Sequence, residues 1–179
     1  MAEGKESDWS TFLGMLAPGP GEKILDIGAG DCSKAARVLQ ASKGAVLYAI
    51  DPNEKRIAAA KRDHPQVESS VGSAESLPYP DSYFDKAYST MALHHFADPE
   101  RALVEIARVL KPGGTYTVVE VEPDSSLGRL FRIFGGILGE KMAMRTRAQL
   151  TAKLGQGGRF QVVGSASLGS RYIIHLSRA

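Results

Sequence analysis

The chain has 179 residues, which is typical of one domain with a substantial core, and its formal net charge is only +2. This small charge is not the basic footprint of a nucleic-acid-binding protein, and a single cysteine excludes a disulfide framework or a cysteine-based metal site. We therefore expect no nucleic-acid partner, no bound metal and a reducing, cytoplasmic location.

The first 22 residues are predicted to form a tail and one helix ahead of the core. Residues 1–7 are polar and acidic, unlike a signal peptide, and we expect them to be loose. A helix is predicted over 9–16, with Ser7 or Asp8 as its N-cap. Its apolar face either packs against the sheet edge or covers a bound nucleoside as a lid. No apolar run approaches the roughly 18 residues of a membrane span, so we expect no stable membrane insertion.

The first predicted strand ends in a glycine turn. Ile24, Leu25 and Ile27 form a short apolar run, typical of a strand buried on both faces, and Gly28 and Gly30 follow at once. Glycines let a backbone approach a ligand closely, and the next helix, predicted over 32–42, points its N-terminal amides at the same place. The pattern therefore predicts a ligand site where this strand ends.

A second apolar run, over 46–50, ends in Asp51, whose carboxylate could accept both hydroxyls of a ribose. Pro52 is predicted in the first turn of the helix that follows, to about residue 63. The dinucleotide fingerprint needs a third glycine where Ser33 stands, which disfavours NAD, and the chain has no P-loop sequence. Asp26, just before the glycine turn, would repel a pyrophosphate but suits an ammonium or sulfonium ion.

The later elements continue the alternation of strands and helices. Strands are predicted over 67–71, 84–91 and 115–121, helices from Asp98 to Leu110 and over 146–154, and an antiparallel pair over 160–168 and 172–176. Such alternation indicates a mostly parallel sheet with helices on both faces.

At several of these points the chain resembles the class I S-adenosylmethionine-dependent methyltransferases, and among them the small-molecule, quinone-biosynthesis-like group called methyltransferase type 11. Leu25-Asp26-Ile27-Gly28-Ala29-Gly30 is similar to motif I of that family. Gly72 to Glu75 with the following Leu-Pro, Leu93-His94-His95, and Arg108 to Gly114 match later family segments in order. The family's third motif-I glycine is Cys32 here, which we expect to narrow the pocket slightly. The Asn/Asp-Pro-Pro-Tyr motif of nucleic-acid amine methyltransferases is absent.

The resemblance, which covers residues 23–121, implies a Rossmann-like α/β fold in a single domain spanning 1–179. Its sheet would be doubly wound, mostly parallel and seven-stranded, with an antiparallel C-terminal hairpin within 151–179. The implied cofactor is S-adenosylmethionine, with S-adenosylhomocysteine as product, and the implied acceptor is a small molecule. The implied cofactor-binding residues are Asp26, Gly28, Ala29 and Gly30 for the methionine part, Asp51 and Pro52 for the ribose, Gly72, Ser73, Ala74 and Glu75 for the adenine, and Ser89 and Thr90 beneath the methyl group.

His94 and His95 are the candidate catalytic residues. Either could act as a general base near neutral pH. The alternative is that both are structural, because methyl transfer from a sulfonium requires little beyond correct positioning. His175 belongs to neither motif and is interpreted as structural.

Residues 123–150 are apolar and basic, and the resemblance is weaker there. The segment is predicted to be a substrate lid over an apolar or anionic acceptor. The alternatives are a peripheral membrane contact through residues 127–147, a homodimer contact, or an ordinary amphipathic helix packed on the domain. A different class of function also stays open, namely a cofactor-binding protein or a methyltransferase subunit that needs a partner for activity.

Overall fold

The computed structural model describes residues 2–42, 44–137, 144–156 and 158–179. The strands are β1 (Lys23–Ile27), β2 (Val46–Asp51), β3 (Glu68–Val71), β4 (Phe84–Thr90), β5 (Leu110–Val121), β6 (Phe160–Leu168) and β7 (Arg171–Arg178). The helices are α1 (Ala2–Leu16), α2 (Ser33–Ala41), α3 (Glu54–Asp63), α4 (Pro99–Val109), α5 (Ser126–Ile137) and α6 (Arg147–Gly155), with a short 3-10 turn at Leu93–His95.

The strands form one seven-stranded sheet in the order β3-β2-β1-β4-β5-β7-β6. The first five strands pair in parallel, and β7 is antiparallel to both β5 and β6. Both the predicted doubly wound sheet and its antiparallel C-terminal hairpin are confirmed. Strand order reverses between β1 and β4, and such a reversal opens a crevice at the carboxyl ends of the strands, where ligands bind in open α/β sheets.

Two apolar clusters, one on each face of the sheet, form the core. Ile24 faces the cluster of α1 and α2, and its neighbour Leu25 faces the cluster of α4 and α6. Successive side chains of a strand point to opposite faces, so a strand buried on both sides reads as a continuous apolar run. The β1 run therefore has the burial that its sequence predicts.

Helix α1 differs from its prediction. It begins at Ala2 rather than Trp9, so Ser7 and Asp8 lie inside the helix instead of capping it. The Glu6 side chain pairs with Arg37 at 3.0 Å, and Asp8 pairs with Arg171 at 2.6 Å. Residues that local sequence marks only as a polar tail are therefore helical, and two of them contact α2 and β7.

Two other element starts differ. The side chain of Asn53 accepts from the Arg56 amide at 3.1 Å and caps α3, so Pro52 precedes that helix rather than lying in its first turn. Strand β5 begins at Leu110, with a register shift that leaves residues 111–114 as an irregular insertion opposite Asp85.

The remaining helix starts agree with the sequence. Asp98 caps α4 and accepts from two backbone amides at 3.1 Å, and Thr146 caps α6 in a reciprocal pair with Gln149. No helix within the described ranges is long and apolar enough to cross a membrane. Of the predicted 123–150 segment, residues 138–143 lie outside the described residues.

Candidate active site

The glycine turn after β1 is fastened to the end of β2. The amides of Gly28 and Ala29 donate to the Ile50 carbonyl at 2.8 and 3.1 Å. Gly28 and Gly30 have φ values of +75° and +60°, a left-handed conformation that favours glycine. A Cβ on Gly28 would come within 2.5 Å of the Ala92 Cβ. Both the backbone conformation and this close approach therefore require glycine at position 28.

Asp51 ends β2 with its carboxylate held in place by two backbone amides. Oδ2 accepts from the Gly30 amide and Oδ1 from the Asn53 amide, both at 2.9 Å. The residue is only 5% exposed. A carboxylate oxygen can accept more than one hydrogen bond, so both oxygens retain capacity for a ligand while their orientation is fixed.

A cavity of about 540 Å³ opens at this edge of the sheet, and we call it the first cavity. Seven of the predicted cofactor-binding residues line it: Gly28, Asp51, Pro52, Gly72, Ser73, Ala74 and Glu75. Ala29 and Gly30 belong to the adjoining turn but are not part of its lining. The structure thus brings together residues that are up to 47 positions apart in the sequence.

Part of the first cavity was missed by the sequence analysis. Asn53 and Arg56 contribute from the start of α3, and residues 91–92 and 96–97 contribute from the segment after β4, beside the predicted His95. The signal that could have found them is position, because segments that follow parallel strands meet at one edge of the sheet.

Asp26 is buried beside the glycine turn and does not line the first cavity. Neither carboxylate oxygen has a hydrogen-bond partner among the described residues. Burial raises the pKa of Asp26 to about 7. The nearby Tyr88 hydroxyl and the positive charge of Lys34 offset only part of this rise. Asp26 is therefore an incompletely compensated acidic group beside the turn.

Ser89 and Thr90 point to opposite faces of β4, as successive strand residues do. Ser89 is fully buried, and its hydroxyl lies 2.7 Å from the Tyr116 hydroxyl. Ser89 does not line the first cavity, and its place beneath the methyl group stays a prediction. Thr90 instead lines a second cavity of about 380 Å³ between α1 and α2.

The two candidate catalytic histidines have different surroundings. The His94 ring is buried, with Nδ1 2.5 Å from Oε2 of Glu120, and the other Glu120 oxygen accepts from the Leu93 amide at 2.8 Å. His95 is exposed and lines the first cavity. Glu120, which the sequence analysis did not select, thus fastens the 3-10 turn that forms one wall of this cavity.

The other titratable groups that the sequence singled out are structural. His175 Nδ1 lies 2.9 Å from the Thr117 hydroxyl, between neighbouring strands. Cys32 has φ +61° and a fully buried side chain within the core, so it does not narrow the pocket as expected. Burial raises the pKa of its thiol to about 12. In the part of the chain that the structure describes, no group of three acidic, histidine or cysteine side chains is placed to hold a metal ion.

The amino-acid sequence is similar to those of known methyltransferases. The chain is 34% identical over 124 residues to the uncharacterised methyltransferase Rv3342 of Mycobacterium tuberculosis, which covers 69% of this chain and 49% of that protein. It is 35% identical over 127 residues to the ubiquinone/menaquinone biosynthesis C-methyltransferase UbiE of Bordetella parapertussis. This match covers 67% of this chain and 49% of that protein. The chain therefore spans about half the length of these two curated relatives.

The fold is also similar to those of solved methyltransferase structures. A methyltransferase solved in complex with the Trm112 activator from Haloferax volcanii has a TM-score of 0.81 at 20% identity, covering 97% of this chain and 91% of that one. At this identity the likeness shows the fold alone. The methyltransferase-domain family matches residues 25–118, which is more than half of the chain. The chain therefore belongs to the methyltransferase-domain family.

Proposed function

We propose that this protein binds S-adenosylmethionine and transfers its methyl group to a small-molecule acceptor. The observation that carries the proposal is the Asp51 carboxylate, fixed by two backbone amides at the wall of the first cavity. A carboxylate in this place suits the two adjacent hydroxyls of a ribose. The loop from Gly72 to Glu75 lines the same cavity and would accommodate the base.

The buried Asp26 also fits this cofactor. Buried polar groups in folded proteins are normally hydrogen-bonded, so a carboxyl group with no partner among the described residues calls for an explanation. A ligand ammonium near the glycine turn would favour its charged form and offset the cost of burial. The residues proposed to hold the cofactor are Asp26, Gly28, Ala29 and Gly30 for its amino-acid part, Asp51 and Pro52 for the ribose, and Gly72, Ser73, Ala74 and Glu75 for the base.

When bound, S-adenosylmethionine supplies an electrophilic methyl group on a sulfonium ion. The contribution of this chain is to fix the distance and angle of attack and to exclude water. Glu120 supports that role by holding the backbone of Leu93 and the His94 ring. His95, on the cavity wall, is the better placed of the two histidines to take a proton from an acceptor.

Replacement of Asp51 tests the proposal. Asp51→Ala removes the acceptor for both ribose hydroxyls, and hydrogen bonds to charged groups contribute about 1.5–3 kcal/mol each. We expect S-adenosylmethionine affinity, measured by calorimetry, to fall by at least about tenfold. Asp63→Ala, an exposed aspartate at the end of α3, is the matched control and should bind like the wild type. Unchanged affinity in Asp51→Ala would remove the ribose assignment.

A second candidate is a methyltransferase that needs a partner for activity. Its support is the exposed apolar surface of α5, where Leu130 is 47% and Ile133 61% exposed. The structural neighbour from Haloferax volcanii was itself solved with an activator. Methyl transfer to any acceptor by the purified chain alone would exclude this candidate. The absence of turnover despite tight cofactor binding would favour it.

A further inference from the structure

The second cavity lies beside the first, and Met91 lines both. Met91 also lines a recess that continues to Leu127 on α5, and this recess shares Asp8, Leu168 and Arg171 with the second cavity. We call the second cavity and this recess together the acceptor channel, since they share four lining residues. The channel runs from Met91, at the wall of the first cavity, to Leu127 at the start of α5, the helix within the segment predicted to be a substrate lid.

Met91 occupies an unusual backbone conformation at this junction. Its φ of +57° is in the left-handed region, which non-glycine residues adopt at an energetic cost. The Met91 amide donates to the Val119 carbonyl at 2.8 Å, which holds the strained residue in place. Strained residues concentrate at ligand sites, and this one lies where the first cavity and the channel meet.

The wall of the channel combines apolar side chains with three cationic ones. Trp9, Phe12, Val119 and Leu168 supply apolar surface in the second cavity. Lys34, Arg37 and Arg171 also line that cavity, against a single lining carboxylate, Asp8. The Arg37 guanidinium already has partners, because it pairs with Glu6 at 3.0 Å and lies 4.2 Å from the centre of the Trp9 ring.

Arg171 is the cation best placed for an acceptor. Its guanidinium lies 2.6 Å from Asp8 Oδ2, and the two side chains are 34% and 24% exposed. A partly exposed pair of this kind contributes little to stability. Another carboxylate or phosphate can therefore displace Asp8 at small cost, and a guanidinium binds either of these groups through parallel hydrogen bonds.

We propose that the acceptor is an apolar molecule carrying one anionic group, a carboxylate or phosphate, that binds Arg171 in place of Asp8. This inference rests on the proposed function, because the channel is an acceptor site only if the first cavity holds the methyl donor. A cationic amine is disfavoured because the lining cations and a neighbouring sulfonium would repel it.

Two fluorescent probes that differ mainly in charge test the inference. Anilinonaphthalene sulfonate has an apolar body and one anionic group, and phenylnaphthylamine has a similar body without the charge. We expect one-to-one binding of the sulfonate, about tenfold tighter than binding of the neutral probe. Equal affinities would overturn the assignment of an anionic acceptor.

Two substitutions in the ion pair separate recognition from structure. Arg171→Gln should weaken sulfonate binding about tenfold, whereas Asp8→Asn should tighten it about threefold because it frees Arg171. Neither change should alter binding of the neutral probe. Arg62→Gln, an exposed pair member on α3, is the control for nonspecific charge effects. If the pair only secures α1, both substitutions will change sulfonate binding in the same direction, which would contradict the proposal.

A competition experiment distinguishes the channel from the cofactor's own site. Saturating S-adenosylhomocysteine, with saturation verified by calorimetry, should leave sulfonate binding in place. Displacement would mean that Arg171 serves the amino-acid part of the cofactor, and the inference would be wrong. Failure of S-adenosylhomocysteine to bind at all would refute the proposed function, and with it the acceptor role, while the probe titrations would still report the anion preference of the channel.

Discussion

Replacing Asp26 with asparagine should stabilise the free protein and weaken its binding of the cofactor. The pKa of Asp26 rises from 3.8 to about 7 because burial penalises the charged form. The folded protein therefore holds this proton more tightly than the unfolded chain does. The stabilising contribution of the Asp26 proton is therefore complete at a pH below the pKa of Asp26 in the unfolded chain. It is lost as the pH rises from about 4 to about 7.

The size of this change in the free energy of unfolding follows from the shift in the pKa of Asp26. About three pKa units, at 1.36 kcal/mol per unit, correspond to about 4 kcal/mol of lost stability above pH 7. Asparagine has a similar shape and never ionises, so Asp26→Asn should recover up to about 4 kcal/mol at pH 8 and only about 1–2 kcal/mol at pH 5.

Denaturant unfolding of the wild type and Asp26→Asn at pH 5 and pH 8, without cofactor, measures both values. Asp63→Asn, at an exposed carboxylate, should change little at either pH. Calorimetry on Asp26→Asn should show weaker S-adenosylmethionine binding, because the neutral amide no longer attracts the ammonium. A destabilised Asp26→Asn, or a gain in stability that does not grow with pH, would show that burial does not penalise the charged form of Asp26.

Two further substitutions test the walls of the first cavity. Glu120→Gln should destabilise the protein by about 1–3 kcal/mol and weaken cofactor binding, because the Leu93 amide and the turn it belongs to lose a charged acceptor; unchanged thermal unfolding and affinity would exclude Glu120 as a positioning residue. Gly28→Ala should lose cofactor binding and at least about 1 kcal/mol of stability, since its φ is positive and its Cβ would meet Ala92 at 2.5 Å. Gly155→Ala, which has no atom within 4 Å of the new Cβ, is its control, and equal behaviour of the two variants would contradict the steric argument.

The sequence was sufficient to predict the position of those site residues that directly follow a strand. Asp51 follows an apolar run, and Gly28 and Gly30 follow another, so neighbouring parallel strands had to bring them to one edge. The loop from residue 72 to 75 came to the same cavity for the same reason.

The features that were not predicted from the sequence involve long-range contacts. The first turns of α1 are helical with Glu6 and Asp8 paired to residues on α2 and at the start of β7. Ser89 and Thr90 are neighbouring polar residues and give no alternation from which to predict the face of β4 that each occupies. The place of Ser89 beneath the methyl group stays a prediction. Glu120 looks like one of several acidic residues near the end of a strand until its contact with the 3-10 turn is known.

The orphaned state of Asp26 was likewise invisible in the sequence. A carboxylate before a glycine turn suggests a cationic ligand, but only the folded chain shows that the surrounding residues supply no partner. The roles of His94 and His95, the homodimer or membrane contact of residues 127–147, and the cytoplasmic location stay predictions.

The proposed function requires that the first cavity bind S-adenosylmethionine. Calorimetric titration of the purified wild-type chain with S-adenosylmethionine, with NAD as the control ligand, measures this binding. We expect one-to-one binding of S-adenosylmethionine and no heat from NAD. Binding of NAD, or no binding of S-adenosylmethionine by a folded protein, would overturn the proposed function.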